Sequence, residues 1–570
     1  MKKILFIAIA AVALIATGCN NLDTQDLTHK NTANYPETYE DAQQVIAGIY
    51  NVLNVATSTC YETFFMVSAL ASDDQFGGGG LNDPTAQAED MLMSAKTDML
   101  RQFWIDSYSG IHRANNAIET LDNCTGYPSD DMKNQMIGEA YFMRAFYYYQ
   151  LASLFENIPL LITTEAQNLP QSTPDETWGQ IISDLKQAIT LMPSKAVGWL
   201  DTGHADKWTA EAMMARAWLF YTGFYQKSDI KLPDGSTVSK SDVSGWIDDC
   251  VAKSGYKLVP DFRNLWAYTN RLTVEDYPYT QGQGLKWVED DNAVNPETMF
   301  AIKYNKLGGY NAPNMVGFGN NYSLYYGVRT QPAEAGFPFG PGWGWGPVTP
   351  NLWSDWAKAE PNDMRRAASI CNIPSELPDY KVGCGGSDTY IQETDYLEKK
   401  IHPILDSNMN SFEVDMYNIG TIDMQMNNIH DLILIRFADV LLMQSELEQN
   451  VSGINKVRAR AGLSPIAGYS TAALQNERRW ELAFEGVRWN DIRRWHIAET
   501  ALAEQSGQPI YTNGVPGSNT TANNGGGYAV RYKATNGFFP IPESEIALSA
   551  GVLQQNAGWG DGSSSYPNWK

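Results

Sequence analysis

Apolar residues recur three and four apart from Asp41 to about Tyr225, and Pro or Gly falls between the periodic runs. That pattern predicts a series of helices. Two stretches within it are alike, IGEAYFMRAFYYY at 137–149 and WTAEAMMARAWLFY at 208–221. Each sets a Glu, then an Arg-Ala pair, then a group of bulky rings. Alanine on an inner face lets two helices approach closely, and rings fill the groove beside them, which is the packing logic of tetratricopeptide hairpins. The spacing is degenerate and the full repeat consensus is absent, so the expectation is an array of helical hairpins.

From 229 to 430 the periodicity breaks. Gly, Pro, Asn and aromatics dominate, as in GFPFGPGWGWGP at 336–347, and a regular helix does not survive that density of breakers. A loop-rich excursion of this length is expected to carry function. Helical signals resume at Asp431. Residues 433–443 are apolar nearly all round and predict a buried helix, on which Arg436 and Asp439 are spaced to pair with each other. Residues 477–495 are dense in charges and rings. Gly486 is placed to end one helix before the next begins, and Glu485–Arg488 and Asp491–Arg494 have the spacing of ion pairs. We read this cluster as a structural network between two helices rather than a catalytic one. Residues 505–537 predict another long loop, followed by a closing segment at 538–546.

The N-terminus bears on compartment. Lys2 and Lys3 precede an apolar run at 4–16, too short for the ~20 residues of a membrane span and suited to the core of a signal peptide. It ends in Ala16-Thr17-Gly18-Cys19, which resembles a bacterial lipobox, in which the cysteine takes a diacylglycerol and becomes the new N-terminus. Residues 1–18 therefore read as a lipoprotein signal peptide, 19–40 as a lipidated tether, and 41–570 as one domain. That domain has a helical part at 41–228, the excursion at 229–430, and C-terminal helices, a long loop and a closing segment at 431–570. Of the remaining cysteines, Cys60, Cys124, Cys250, Cys371 and Cys384, at least one is left over from any pairing. Cys371 and Cys384 flank a Gly/Pro/Ser-rich stretch and either form a bridge or stay as two thiols.

Composition narrows the function. With 43% apolar residues over 570, the chain can bury enough surface to fold. A net charge of −24 argues against a nucleic-acid partner and against electrostatic adhesion to anionic lipid, which leaves a lipid anchor as the route to a membrane. No nucleophile elbow, phosphate loop or zinc-protease motif is present, and Gly340, Gly342, Gly344 and Gly346 miss the dinucleotide-binding spacing. The six histidines are scattered singly. Asp406, Asn408 and Asn410 resemble the start of a calcium loop, but Tyr417 stands where the bidentate Glu belongs. No catalytic residue, cofactor or metal is expected.

Several stretches, in order, resemble the SusD/RagB family of surface nutrient-binding lipoproteins. They are EAYFMRAFYY (139–148) with Ile158-Pro159-Leu160, NPETMFAI (295–302), LIRFADVLLM (434–443), INKVRARAGL (454–463), ERRWELAFEGVRW (477–489), and FPIP (539–542) with Gln555-Asn556. Gln444-Ser445-Glu446 and Val487 depart from the family pattern. The resemblance implies a mainly α fold on tetratricopeptide-like hairpins, with a large irregular ligand-binding face and few short strands. It also implies a lipid-anchored protein at the cell surface of the outer membrane, acting as lid to a SusC-like TonB-dependent transporter and capturing oligosaccharides or polysaccharides. Alternatives are a peptide cargo, a lid with little ligand affinity, or a surface glycoside hydrolase, for which no motif speaks.

Ligand contacts in such a family vary, so they are nominated here on chemistry. A sugar ring stacks its C–H face on an aromatic plate while polar groups bridge its hydroxyl rim. The Gly-rich loops supply Tyr310, Tyr322, Tyr325, Tyr326, Trp343 and Trp345, and Asp73, Asp74 and Gln75 before the glycines at 77–80 offer polar groups on a flexible turn.

Overall fold

The computed structural model describes residues 35–55, 63–78, 95, 98–201, 203–290, 293–305, 319–329, 332–383, 391–402, 404–418, 428–520 and 527–559. Cys19, Cys60, Cys384 and Tyr310 lie outside them.

Among the described residues six helices fill the N-terminal part, as the periodicity predicts: α1 Tyr39–Val55, α2 Phe64–Leu70, α3 Arg101–Thr120, α4 Asp130–Phe155, α5 Pro174–Leu191 and α6 Lys207–Phe224. Local signals fix their starts. Before α5, the Thr173 N–H donates to Glu176 Oε2 at 2.8 Å and the Thr173 hydroxyl accepts from the Glu176 N–H at 3.3 Å, with Pro174 in the first turn. Helix α4 packs between α3 and α5, and α6 packs against α5. Both α4 and α6 are buried over most of their circumference. This accounts for the two look-alike stretches, which are the interior helices of neighbouring hairpins. Their arginines clamp different neighbours. Arg144 donates from Nε and Nη2 to Asp184 on α5, at 2.8 and 2.7 Å, and from Nη1 to Asn115 on α3 at 2.9 Å. Arg216 reaches Asp439 at 2.6 Å and the Leu434 carbonyl at 3.0 Å, tying the N-terminal helices to the C-terminal part.

The excursion is irregular backbone punctuated by short elements. A hairpin of β1 Asp229–Lys231 and β2 Thr237–Ser239 leads into α7 Lys240–Lys253, which the density of breakers had hidden and which Ser239 and Asp242 start with a second capping box. Strand β3 Thr298–Ile302, the one-turn helix α8 Tyr322–Tyr326, helix α9 Pro350–Ala359 and strand β4 Ile370–Asn372 follow.

The 433–443 expectation is corrected. Leu432–Arg436 is a strand, β5, paired antiparallel with β3, and helix α10 begins only at Phe437 and runs to Glu448. The run of Leu and Ile suits a doubly buried strand as well as a buried helix, so periodicity alone does not separate them. Arg436 is extended, with φ −135° and ψ 160°, so it does not stand one turn from Asp439 on a helix, and the expected pair is not the one formed. Residues 505–537 are likewise not one loop. They hold a hairpin of β6 Pro509–Thr512 and β7 Val515–Ser518 and the helix Tyr528–Thr535. The hairpin turns at Asn513-Gly514, whose φ values of 49° and 76° are those a two-residue turn with matching twist requires.

Charges knit the C-terminal helices α11 Ser452–Arg460, α12 Thr471–Leu482 and α13 Arg488–Arg494 to the excursion. Arg436 meets Glu297 at 2.8 Å, Glu485 at 2.6 Å and Glu481. Arg365 meets Asp363 and Glu477 at 2.7 Å and Glu481 at 2.9 Å. Burial alone would raise the Glu481 carboxyl, but Arg460, Arg436 and Arg365 outweigh it and hold it well below its ordinary value. Gly486, at φ +72°, separates α12 from α13 as expected, and Asp491 pairs with Arg494 at 2.8 Å. Glu485 and Arg488 do not pair: the first is taken by Arg436 and Lys400, the second by Asp73. The network is structural.

One large apolar cluster runs from α1 to Trp559 and joins the N- and C-terminal parts. Cys371 lies buried on β4 as a free thiol, and burial pushes its pKa up; Cys384, the other half of the bridge considered above, lies outside the described residues. Asp406 accepts from the backbone N–H groups of Asn408 and Asn410, each at 2.9 Å, and closes its own loop. Among the described residues no helix is long and apolar enough to cross a membrane.

Candidate functional site

Residues 341–348 form a strap along the end of α8. Four successive N–H groups of the strap donate to it. Those of Gly342, Trp343, Gly344 and Trp345 go to the carbonyls of Val328, Leu324, Gly327 and Tyr325 at 2.7–2.8 Å. So close an approach needs glycine: a Cβ on Gly342 would lie 2.4 Å from Gly327 Cα. On its other edge the strap is held by residues 74–76. Gln75 Nε2 donates to the Gly346 carbonyl at 2.8 Å, the Phe76 N–H to the Pro347 carbonyl at 2.9 Å, and the Thr349 N–H to the Asp74 carbonyl at 3.0 Å.

Behind this mount stand two arginines of the C-terminal network. Asp73 Oδ1 meets Arg488 Nε at 2.7 Å, and Arg479 lies 3.0 Å from Asp73 and 2.8 Å from Asp74. Burial raises the Asp73 carboxyl, yet Arg479 and Arg488 outweigh it and leave it well below the usual range. Asp74, buried beside a second carboxylate, is raised. Asp73, Asp74 and Gln75 are each at most 2% exposed. The expectation that they stand on a flexible turn, open to a ligand, is therefore corrected: they brace the strap from inside.

The aromatics divide in the same way. Tyr322 is fully buried, its hydroxyl 2.6 Å from Thr63 Oγ1 and its ring edge-on to Phe65. Tyr326 and Trp345 are buried, and half-buried Tyr325 meets Trp345 at 4.9 Å between centroids. Trp343 is 46% exposed, and among the described residues it is the one aromatic on the open surface. The Arg329 guanidinium lies 5.8 Å from its ring centroid, and Arg329 Nε donates to the Trp343 carbonyl. The result is a braced indole plate beside a cation, able to stack an apolar ring face and to donate to hydroxyls on its rim. Sequence reasoning passed over Arg329. Its signal was a lone cation seven residues beyond Tyr322 in a stretch otherwise without charge.

Comparison with known proteins places this architecture. A SusD-like family model described as "Starch-binding associating with outer membrane" matches residues 25–219, and the "SusD family" model matches residues 361–559, together more than two thirds of the chain. SusD-like protein P2 of Formosa agariphila is 24% identical over 98% of this chain and 99% of its own. A solved laminarin binding SusD-like protein superposes with a TM-score of 0.66 at 22% identity, over 92% of this chain and 100% of that one. Surface glycan-binding protein A from Bacteroides thetaiotaomicron, solved in complex with laminarihexaose, gives 0.65 at 19% identity, over 91% and 99%. With its helical hairpins, its few short strands and both family segments in place, the chain belongs to the SusD/RagB family.

Proposed function

We propose that the protein is a non-catalytic, cell-surface glycan-binding lipoprotein, anchored in the outer membrane through Cys19. In this reading it captures oligosaccharides on the Trp343 plate and passes them to a SusC-like TonB-dependent transporter, for which it serves as lid. The observation that carries the reading is the single open indole on a strap whose other rings and carboxylates are spent on holding it in place. Arg329 adds a donor at the plate's edge. The names of two solved relatives, one laminarin binding and one complexed with laminarihexaose, support a glycan cargo and make a β-glucan the first probe. They are names of binding proteins rather than enzymes. The carboxylates nearest the mount are held by guanidinium groups, which does not favour acid–base chemistry there.

The test is affinity electrophoresis of the protein truncated after Cys19, through gels holding laminarin and a panel of other polysaccharides. One glycan class should retard it, and Trp343→Ala should weaken that binding about tenfold or more, ~1.4 kcal/mol, through loss of the stacking plate. Equal retardation of both proteins would remove the plate from the site.

A further inference from the structure

A cavity of about 700 Å³ opens elsewhere, between the α5–α6 connection, the segment before β3 and the start of β5, and none of its walls belongs to the strap. That volume is in the range of small-ligand sites, roughly 300–1,000 Å³. Trp199 and Tyr304 give it aromatic surface, and Glu289 and Asp431 give it carboxylates. The charges facing it are unequal in their partners. Lys303 is paired with Asp431, His204 with Glu139 at 2.7 Å, and His430 with Glu413 at 2.9 Å. Asp206 caps α6 through the Thr209 N–H at 2.8 Å, and Asp201 stands exposed at the edge. Glu289 is held in place by the Asn295 amide at 3.1 Å, but among the described residues no cation pairs with it. Burial and the neighbouring Asp431 push its pKa up to about 7, with the Asn295 amide, Lys303 and His430 opposing. Among the described residues the indole N–H of Trp199 is also buried without an acceptor.

We infer that this cavity is a second ligand site, independent of the strap, for an amino sugar of one or two rings. Its protonated amine pairs with Glu289, a hydroxyl accepts from the Trp199 N–H, and the aromatic walls cover a ring face. A neutral glycan would leave Glu289 without its counter-charge. A basic peptide would supply the charge without the flat C–H face.

The probes are the glucosamine disaccharide, its N-acetylated counterpart and a dilysine peptide, titrated calorimetrically into the protein truncated after Cys19. The glucosamine disaccharide should bind, and the acetylated one at least tenfold more weakly. Glu289→Gln should weaken the first by about tenfold or more, and Trp199→Phe, which keeps the ring and drops the N–H, by severalfold. Trp343→Ala should leave it unchanged, which separates this site from the plate. Retained binding of neutral glycan on the plate shows that the Glu289 and Trp199 variants are folded. Equal affinity for the acetylated sugar or for dilysine, no binding of the glucosamine disaccharide, or its loss in Trp343→Ala would each overturn the inference.

Discussion

Two stretches of this chain are unusually dense in chemically capable residues: the rings at 336–347 and the charges at 477–495. In both, nearly all of that chemistry is turned inward. In the C-terminal stretch Glu477, Arg478, Glu481, Glu485, Asp491 and Arg494 are all buried, and all are paired. In the strap Trp345 is packed away with the neighbouring tyrosines, but Trp343 is left open. The difference is that a guanidinium can bond several carboxylates at once, so a charge network closes on itself. A strap bonded through its backbone leaves its side chains uncommitted, and one of them can face solvent. Density of chemistry along a sequence thus marks where a fold holds itself together. Function falls to the residue with no internal use.

The sharpest way to break that comparison is to remove the hub of the charge network. Arg436→Ala should cost about 3–5 kcal/mol of unfolding free energy, because Glu485, Glu481 and Glu297 lose a buried partner together. Chemical denaturation reads it directly, and a loss under 1 kcal/mol would mean the network is not what binds the excursion to the C-terminal helices. Next in size is Gly342→Ala. The added methyl meets backbone rather than a movable side chain, so the strap must lift from α8. Glycan retardation should fall to the level of Trp343→Ala, and the melting temperature should fall with it, because Trp345 of the strap packs in the main apolar cluster. Retained binding would show that the close approach does not set the plate.

How far these two regions were legible in the sequence follows from the same physics. Helical periodicity exposed α1 to α6, and the buried faces of α4 and α6 are where the paired Glu/Arg-Ala stretches predict them. The strand at Leu432–Arg436 was hidden because a fully buried strand and a buried helix are both unbroken apolar runs. The hairpin at Asn513-Gly514 was hidden by a loop-like composition whose turn signal was passed over. Trp343 was nominated for the glycines beside it, and the structure leaves its ring open. Asp73 and Asp74 misled for a different reason. An acidic pair before four glycines looks solvated until the arginines that bury it arrive from about 400 residues further along the chain. No local pattern carries that contact.

The smallest expected effect sharpens what partners are worth. Glu211 sits on α6 at the place Glu139 holds on α4, and both are buried. Glu139 is hydrogen-bonded by Tyr50 at 2.8 Å and Gln135 at 2.9 Å and lies against His204. Among the described residues neither oxygen of Glu211 has a hydrogen-bond partner, and Lys207 Nζ is 3.7 Å away. Burial pushes the Glu211 pKa up to about 8, with Lys207 opposing and Asp249 adding to it. The unfolded chain releases this proton near pH 4.5, while the folded one keeps it until about pH 8. The folded state therefore binds more protons in that window, and stability from this group falls as pH rises from about 4.5 to 8. Glu211→Gln keeps the shape and cannot ionise. Its melting temperature should match the parent near pH 5 and exceed it by a few degrees at pH 8, with the gap opening between. Parallel melting curves for Glu211→Gln and the parent from pH 5 to 8 would mean that water or Lys207 supplies the missing partner.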